Sequence, residues 1–528
     1  MAEAFQEIRI ETRSAPTDPW VDIFDRVLHN PRPRVTGIGI MDNRYLSRVG
    51  GNSTLSFSID NSDGNGDALL GEYCRVVFKW DGVEKIKFSG LVVIDSKNRT
   101  PGIYGKKDIS IRYRGWFGWA LDYPLDFLEY ATNKRIDEAV PLVIKDLPIQ
   151  PDELLLYTGD YTFPDVFDIT RANSSVVGEF NRLATSEVGY IYERMGGENG
   201  GILVVENRLK RTADAADTSI PVYSGDHSGD SLLLEDGASY LLLEDGTSHL
   251  LLQENSTVAF DDNDIWIGKS PRFSNNRSLI NYAKVSTRPR KVDTANTTVL
   301  WTMEGATLVE AGTTISGIRG RYRDPNAGAS NVNGINMRAP IRGVDFQAFQ
   351  NSDGTGADRT GNCFVTAEFG TAEVEISISN AGATDFYVGG EDITFQVRGR
   401  GVYLYDATEV IFDYKGVNSF YPYAGRRSIA WDMFYQTDAN AMIALFDSVW
   451  MKNSSGITCE AFPLLANRNT KNMRGFMYLD AGMRAAFEET QSLYNKSAYI
   501  NGYSFEIIDG MYVAWTPVLF DQSRAPDF

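Results

Sequence analysis

Residues Thr54–Lys97 constrain the fold more than any other stretch of this chain. Leu55, Phe57 and Ile59 alternate with Ser56 and Ser58, the period of a strand with one buried face. The segment Asp60–Asp67, DNSDGNGD, then ends the strand, because Gly tolerates positive φ and Asn and Asp bond their own backbone. A second alternating run covers Arg75–Trp80, Asp81-Gly82 turns the chain, and Ile86, Phe88, Val92 and Ile94 form a third strand broken by Gly90. Strand, Asp-rich turn, strand, hairpin and strand predict a compact antiparallel barrel or sandwich. No catalytic arrangement is visible in it.

The size of the chain sets how many such units it holds. At 528 residues, roughly three or four domains are expected, since single cores rarely grow beyond about 250 residues. A hydrophobic content of 43% excludes a largely disordered protein. The net charge of −19 argues against a protein that grips nucleic acid, because phosphate binding needs clustered Lys and Arg. It leaves open a surface that DNA slides past. Cys74, Cys363 and Cys459 are too far apart in sequence to suggest a disulfide framework or a zinc site, and are expected to be core thiols. The N-terminal MAEAFQEIRIETRS lacks the basic-then-apolar layout of an export signal, and no apolar run reaches the roughly 18–20 residues of a membrane span. A soluble protein made in a cytoplasm is expected, and acceptor triplets such as those at Asn52 and Asn276 then carry no meaning.

The pattern along the chain predicts a mainly β, multidomain protein with small α+β insertions. Residues 1–130 are β throughout, ending in the alternation of Ile109, Ile111 and Tyr113 and the aromatic Trp116-Phe117-Gly118-Trp119. Residues 131–222 form a small α+β domain. Ile136, Ala139, Val140, Val143 and Ile144 predict a short helix that Pro141 bends or splits, and a second helix spans about Ser174–Ser186, capped by Ser174 or Ser175. A hairpin follows, Tyr190–Glu193 and Ile202–Glu206 around a Gly-rich turn. Residues 223–266 contain a nine-residue repeat, SLLLEDGAS, YLLLEDGTS and HLLLQENST, expected as short strands. A β region covers 267–358, with Val299–Trp301 pairing the Ile280–Val285 strand and a loop-like Asp324–Asp358. A β-sandwich-like unit covers 359–425, and 426–528 holds a helix near 437–450 and closing strands. The closing strands are Thr458–Phe462, Met477–Leu479, Arg484–Phe487, Tyr499–Ile508 and Met511–Phe520, the last two joined by Asp509-Gly510.

Few residues offer chemistry. Asn61, Asp63, Asn65, Gly66 and Glu72 fit positions 1, 3, 5, 6 and 12 of a calcium loop, but Asn replaces the first carboxylate and strands flank the loop; a plain Asx-rich turn competes with it. The Leu repeat lacks the Gly-Gly-X-Gly-X-Asp of calcium-binding β-rolls. Gly268-Lys269-Ser270 ends like a phosphate-binding loop, yet Asn263 stands where that loop needs Gly. His29, His227 and His249 lie near no nucleophile elbow or metal-binding pair. The acidic pairs Asp261-Asp262 and Glu488-Glu489 are the closest approach to a glycosidase, and solvated faces account for them. No metal, cofactor or enzyme signature results.

Trp20–Ile23, Asp60–Gly64 and the Lys87–Gly90 strand resemble the N-terminal tube domain of tail-tip and baseplate hub proteins of tailed bacteriophages, also called minor tail proteins. Phe180–Arg208 is similar to that family's helix followed by a strand, Gly turn and strand. Leu279–Tyr282 resembles the entry to its second tube domain, and Val374–Val402 its Asn-X-Gly and Val-Arg-Gly pattern. The resemblance implies two tube-like β-barrel domains, in 1–130 and from 267, plus an accessory β-sandwich. It implies a homotrimeric structural hub in the virion, made in the host bacterial cytoplasm, that adapts a six-fold tube to a three-fold tip. Its implied partners are the distal tail or tube protein, the tape measure, the tip or central fibre, and DNA in passage. Clustered Trp116, Trp119, Tyr421, Tyr423 and Trp431 support an alternative, a carbohydrate-binding tail adhesin; a tail-associated hydrolase is the third class.

Overall fold

A computed structural model describes residues 4–520 apart from 42–46, 94–96, 100–106, 126–127, 129, 168–173, 199, 208–209, 212–258, 267–268, 276–281, 325–330, 414–427, 438–456 and 509–510. The Leu repeat, the helix expected near 437–450, Tyr421, Tyr423, His227, His249, Gly268 and the Asp509-Gly510 turn lie outside the described residues. The protein is mainly β and multidomain, distributed over nine sheets among the described residues.

The alternation at the start of the argument produces its strands. Thr54–Asp60 lies between Arg34–Gly39 and Asp108–Arg114, all antiparallel. Leu55, Phe57 and Ile59 are buried, and Ser58 bonds Ser110 across the ladder at 2.6 Å. Tyr73–Trp80 and Val83–Val92 form the expected hairpin, with Trp80 opposite Val83. Asp81 and Gly82 both take positive φ, the backbone that a two-residue type I′ turn requires.

The sheet does not stop at the end of this unit. Tyr494–Ile508 pairs with Arg34–Gly39, and Tyr512–Phe520 and Arg484–Glu489 pair with Tyr494–Ile508. Fourteen strands thus form one sheet, drawn from residues 7–114 and 464–520 with Ala259–Phe260 added from between the middle modules. Its core is shared too. Phe78 meets Phe476 at 5.0 Å and Phe505 at 5.7 Å between ring centroids, both edge-on.

The α+β unit follows the sequence closely. Val176–Glu187 is a helix, and the Ser175 hydroxyl accepts from the Gly178 amide at 3.2 Å. The helix Ile136–Ile144 continues through Pro141, and the Glu138 carboxylate accepts from the Arg135 amide at 3.0 Å at its start. The aromatic stretch after Arg114 is itself a helix, Trp116–Asp122, buried in the same core.

Three local expectations give way. Thr298–Thr302 pairs with Gln396–Leu404, not with Tyr282–Thr287, which instead lies between Thr408–Asp413 and Ser428–Met433. The connection between Tyr282–Thr287 and Thr298–Thr302 carries no two-residue turn that fixes a hairpin register, so long-range pairing prevails. Within the loop-like 324–358, Asn331–Arg338 is a strand on Gln396–Leu404. Met477 ends a helix, Thr470–Tyr478, because Asn469 caps it through Asn472 and Met473, Phe476 and Met477 share its buried face.

Candidate functional site

The calcium-loop residues form a self-bonded turn. The Asn61 side-chain oxygen accepts from the Gly66 amide at 2.7 Å, and Asp63 accepts from the Asn65 amide at 3.0 Å. The other Asp63 oxygen accepts from Arg26 at 2.6 Å, and that guanidinium, with the Asn65 amide, holds the exposed carboxyl down at about 2. Asn65 precedes a single helical turn, Gly66–Leu69, and Glu72 lies exposed beyond it. Among the described residues no group of three or more His, Cys, Asp or Glu side chains is placed to hold a metal ion.

The acidic pairs are likewise committed to local structure. Asp261 accepts from the Asn263 amide at 2.8 Å and from Lys471 at 3.0 Å, and Asp262 accepts from the Thr490 amide. Glu489 accepts from the amides of Gln491 and Ser492. Burial alone would raise the Asp261 carboxyl, but Lys471 and the Asn263 amide outweigh it and hold it below the usual range, opposite to what a general acid needs. Cys74, Cys363 and Cys459 are buried thiols that form no disulfide; burial pushes the Cys363 thiol up to about 12 and Cys74 well above its usual value.

The densest buried chemistry lies where the α+β hairpin meets the large sheet. Tyr190–Arg194 is buried at every position, so its charged side chains point inward as well as its apolar ones. Glu206 accepts from Arg211 at 2.7 Å and from the Tyr192 hydroxyl at 2.8 Å, and the Glu206 and Arg211 side chains are both fully enclosed. Arg211 also donates to Asn501 at 2.5 Å, and Arg194 donates to the Ala481 carbonyl at 2.5 Å. Burial works against the Arg211 charge, but Glu206 and the neighbouring tyrosines more than restore it. Six residues from two sequence-distant segments are thus tied by four charge-assisted hydrogen bonds.

Beside this cluster Glu193 accepts from Ser53 at 2.8 Å and from the Phe117 amide at 3.3 Å, so it caps the Trp116–Asp122 helix from 76 positions away. Burial raises its carboxyl to about 7 against those stabilising bonds. Lys87 is also buried, donates to the Leu479 carbonyl at 3.2 Å, and is lowered to about 8 by burial. On the far side of the α+β unit, Glu179 accepts from the Tyr435 hydroxyl at 2.5 Å and from Arg182. Tyr435 closely follows Ser428–Met433, a strand of the β module (within residues 282–433), so that module meets the α+β unit through a buried hydrogen bond.

This arrangement holds elements in place. Among the described residues, the aromatic side chains of the adhesin alternative serve packing. Trp116 and Trp431 are buried, and their indoles donate to the Ile149 and Thr185 carbonyls, both at 2.9 Å; Trp119 is half-buried against Tyr123.

No family model and no curated protein matches the chain. Among solved structures it is similar to the tail protein from Neisseria meningitidis MC58, at 9% identity and a TM-score of 0.46, over 97% of this chain and 96% of that one. It is also similar to the 43 kDa tail protein of prophage MuSo2 from Shewanella oneidensis, at 10% identity and 0.45, over 97% and 98%. A prophage tail protein from Listeria monocytogenes EGD-e aligns at 7% identity and 0.39, over 98% and 95%. These neighbours are phage tail proteins.

The buried joint was not visible in the sequence as a site. Tyr-Ile-Tyr-Glu-Arg has a strand's composition, and the one available signal is that its charges sit in a short segment with no polar face of its own.

Proposed function

We propose that this chain is a structural protein of a bacteriophage tail, the trimeric hub of the tail tip or baseplate. The observation that carries this is the clamped architecture. Strands from residues 7–114 and 464–520 form one sheet, and the α+β hairpin between them is tied to the C-terminal part by buried hydrogen bonds, Arg211 to Asn501 and Arg194 to the Ala481 carbonyl. A body of this kind transmits force between its ends without yielding. The sequence motifs shared with tail-hub proteins support the same reading. In it, the chain continues the distal tail tube, meets the tape measure and the central fibre, and presents acidic surface to passing DNA. A net charge of −19 favours passage without retention, by like-charge repulsion.

Light scattering of the purified chain over a range of concentrations, with negative-stain imaging, tests this. A species of three times 58.8 kDa that images as a ring is expected. A monomer at every concentration, with no ring in the images, would overturn the trimeric hub.

A further inference from the structure

The β module carries a three-stranded sheet whose outer strands, Thr314–Arg321 and Cys363–Phe369, flank Glu373–Asn380 and pair with no further strand among the described residues. Its inner face is the module core, with Val374, Ile376 and Ile378 fully buried. Its outer face carries charge in rows fixed by the register. Arg319 lies opposite Glu375 and bonds it at 2.7 Å, and Glu375 lies in turn opposite Glu368. Two carboxylates directly across a ladder repel each other, and Glu368 makes no ion pair or hydrogen bond among the described residues. At the other edge Arg321 is exposed on the same face and has no ion pair among the described residues. Arg321 lies opposite Glu373 in the register, so the outer face runs from Arg319 and Arg321 on one edge strand, through Glu373 and Glu375 in the centre, to Glu368 on the other edge strand.

The acidic edge also exposes apolar surface. Phe364 is 50% exposed, and the neighbouring turn adds Ile341 at 42% and Val344 at 60%. Arg342 ties that turn to the edge, stacking 4.8 Å from the Phe364 ring and donating to the Cys363 carbonyl at 3.1 Å. Apolar side chains gathered at an open sheet edge mark an interaction surface. On the basic edge the register shift between Ile315 and Ile318 ends just before Arg319, and Ile318–Arg321 pair regularly.

We infer that these two edges bind each other between copies of this chain, the Thr314–Arg321 strand of one copy adding beside the Cys363–Phe369 strand of the next. Both outer strands run antiparallel to the central one, so they run parallel to each other, and copies related by a rotation pair them in parallel. Side chains recur every two residues, so Glu368 meets Arg319 or Arg321 of the next copy on the same face. Phe364, Ile341 and Val344 supply the apolar part of the contact. Such a head-to-tail contact is heterologous and closes into a ring when the rotation permits. The inference rests on the trimeric reading above and names the surface that builds it.

Charge reversal with rescue tests it. E368R and R321E, each alone, place like charges at the contact and are expected to weaken association about tenfold or more in concentration-dependent light scattering. The double variant R321E/E368R restores the opposite pair and is expected to recover the wild-type mass profile. Circular dichroism and thermal unfolding check that each exposed substitution leaves the fold intact. A trimeric wild type whose single variants keep its mass at every concentration would overturn this interface while leaving the trimeric hub standing. Single variants that dissociate without rescue in the double variant would also overturn the pairing. A monomeric wild type would remove the hub reading itself.

Discussion

Replacing Glu193 with Gln isolates the cost of burying one carboxylate at the joint. The side chain is enclosed, its bonds come from the Ser53 hydroxyl and the Phe117 amide, and no cation forms an ion pair with it among the described residues. Its carboxyl stands at about 7 against an ordinary 4.5. A group raised on folding contributes stability that is complete below the unfolded value and is lost as pH rises through the folded one. Between pH 5 and 8.5 the wild type therefore loses roughly 2–3 kcal/mol through this residue, with a slope of at most about 1.4 kcal/mol per pH unit that levels off above the folded value. E193Q has no charge to bury and keeps an oxygen to accept the bonds. Urea unfolding followed by tryptophan fluorescence at both pH values checks this. The variant is expected to gain on the wild type by about 2–3 kcal/mol at pH 8.5 relative to pH 5. A stability difference between the two proteins that is the same at both pH values would refute the placement of a buried, unpaired carboxylate here.

Two further substitutions probe the frame. R211M leaves Glu206 charged and enclosed with the Tyr192 hydroxyl and the more distant Arg194 at 3.8 Å, so a loss of about 3–5 kcal/mol in chemical unfolding is expected, with E206L/R211M recovering much of it. S175A removes the hydroxyl that accepts from Gly178 and should cost about 1 kcal/mol, read as a lower midpoint with unchanged slope.

Where local chemistry decides the structure, the sequence was sufficient. Period-two alternation placed Thr54–Asp60, Asp81-Gly82 placed a hairpin, and Ser175 started a helix, each through interactions spanning a few residues. The pairing of Arg34–Gly39 with the strand at Gly502–Glu506 had no such mark, because an open edge of one strand does not encode which distant strand will fill it. Thr298–Thr302 failed for the same reason. Thr470–Tyr478 was masked by Gly475 and by two methionines and a phenylalanine that suit either element, and only Asn469 signalled a helix. The joint was hidden more deeply. Whether Glu193, Glu206 and Arg211 face water or one another depends on which surfaces meet, and Arg211 with Asn501 is brought together only by the finished sheet.

The same shared sheet dictates how the protein must come into being. Arg34–Gly39 leaves the ribosome with one edge open, and its partner follows roughly 470 residues later. At about 5–20 residues per second that interval lasts on the order of half a minute to a minute and a half. Throughout it Val35 and Ile38, fully buried in the finished molecule, belong to a half-built sheet. Folding of the first strands is thus completed only when the segment near residue 500 has been synthesised, and a nascent chain that stalls before it is a natural client for chaperones and proteases. Fragments cut before this segment should behave as aggregating intermediates rather than as small independent domains.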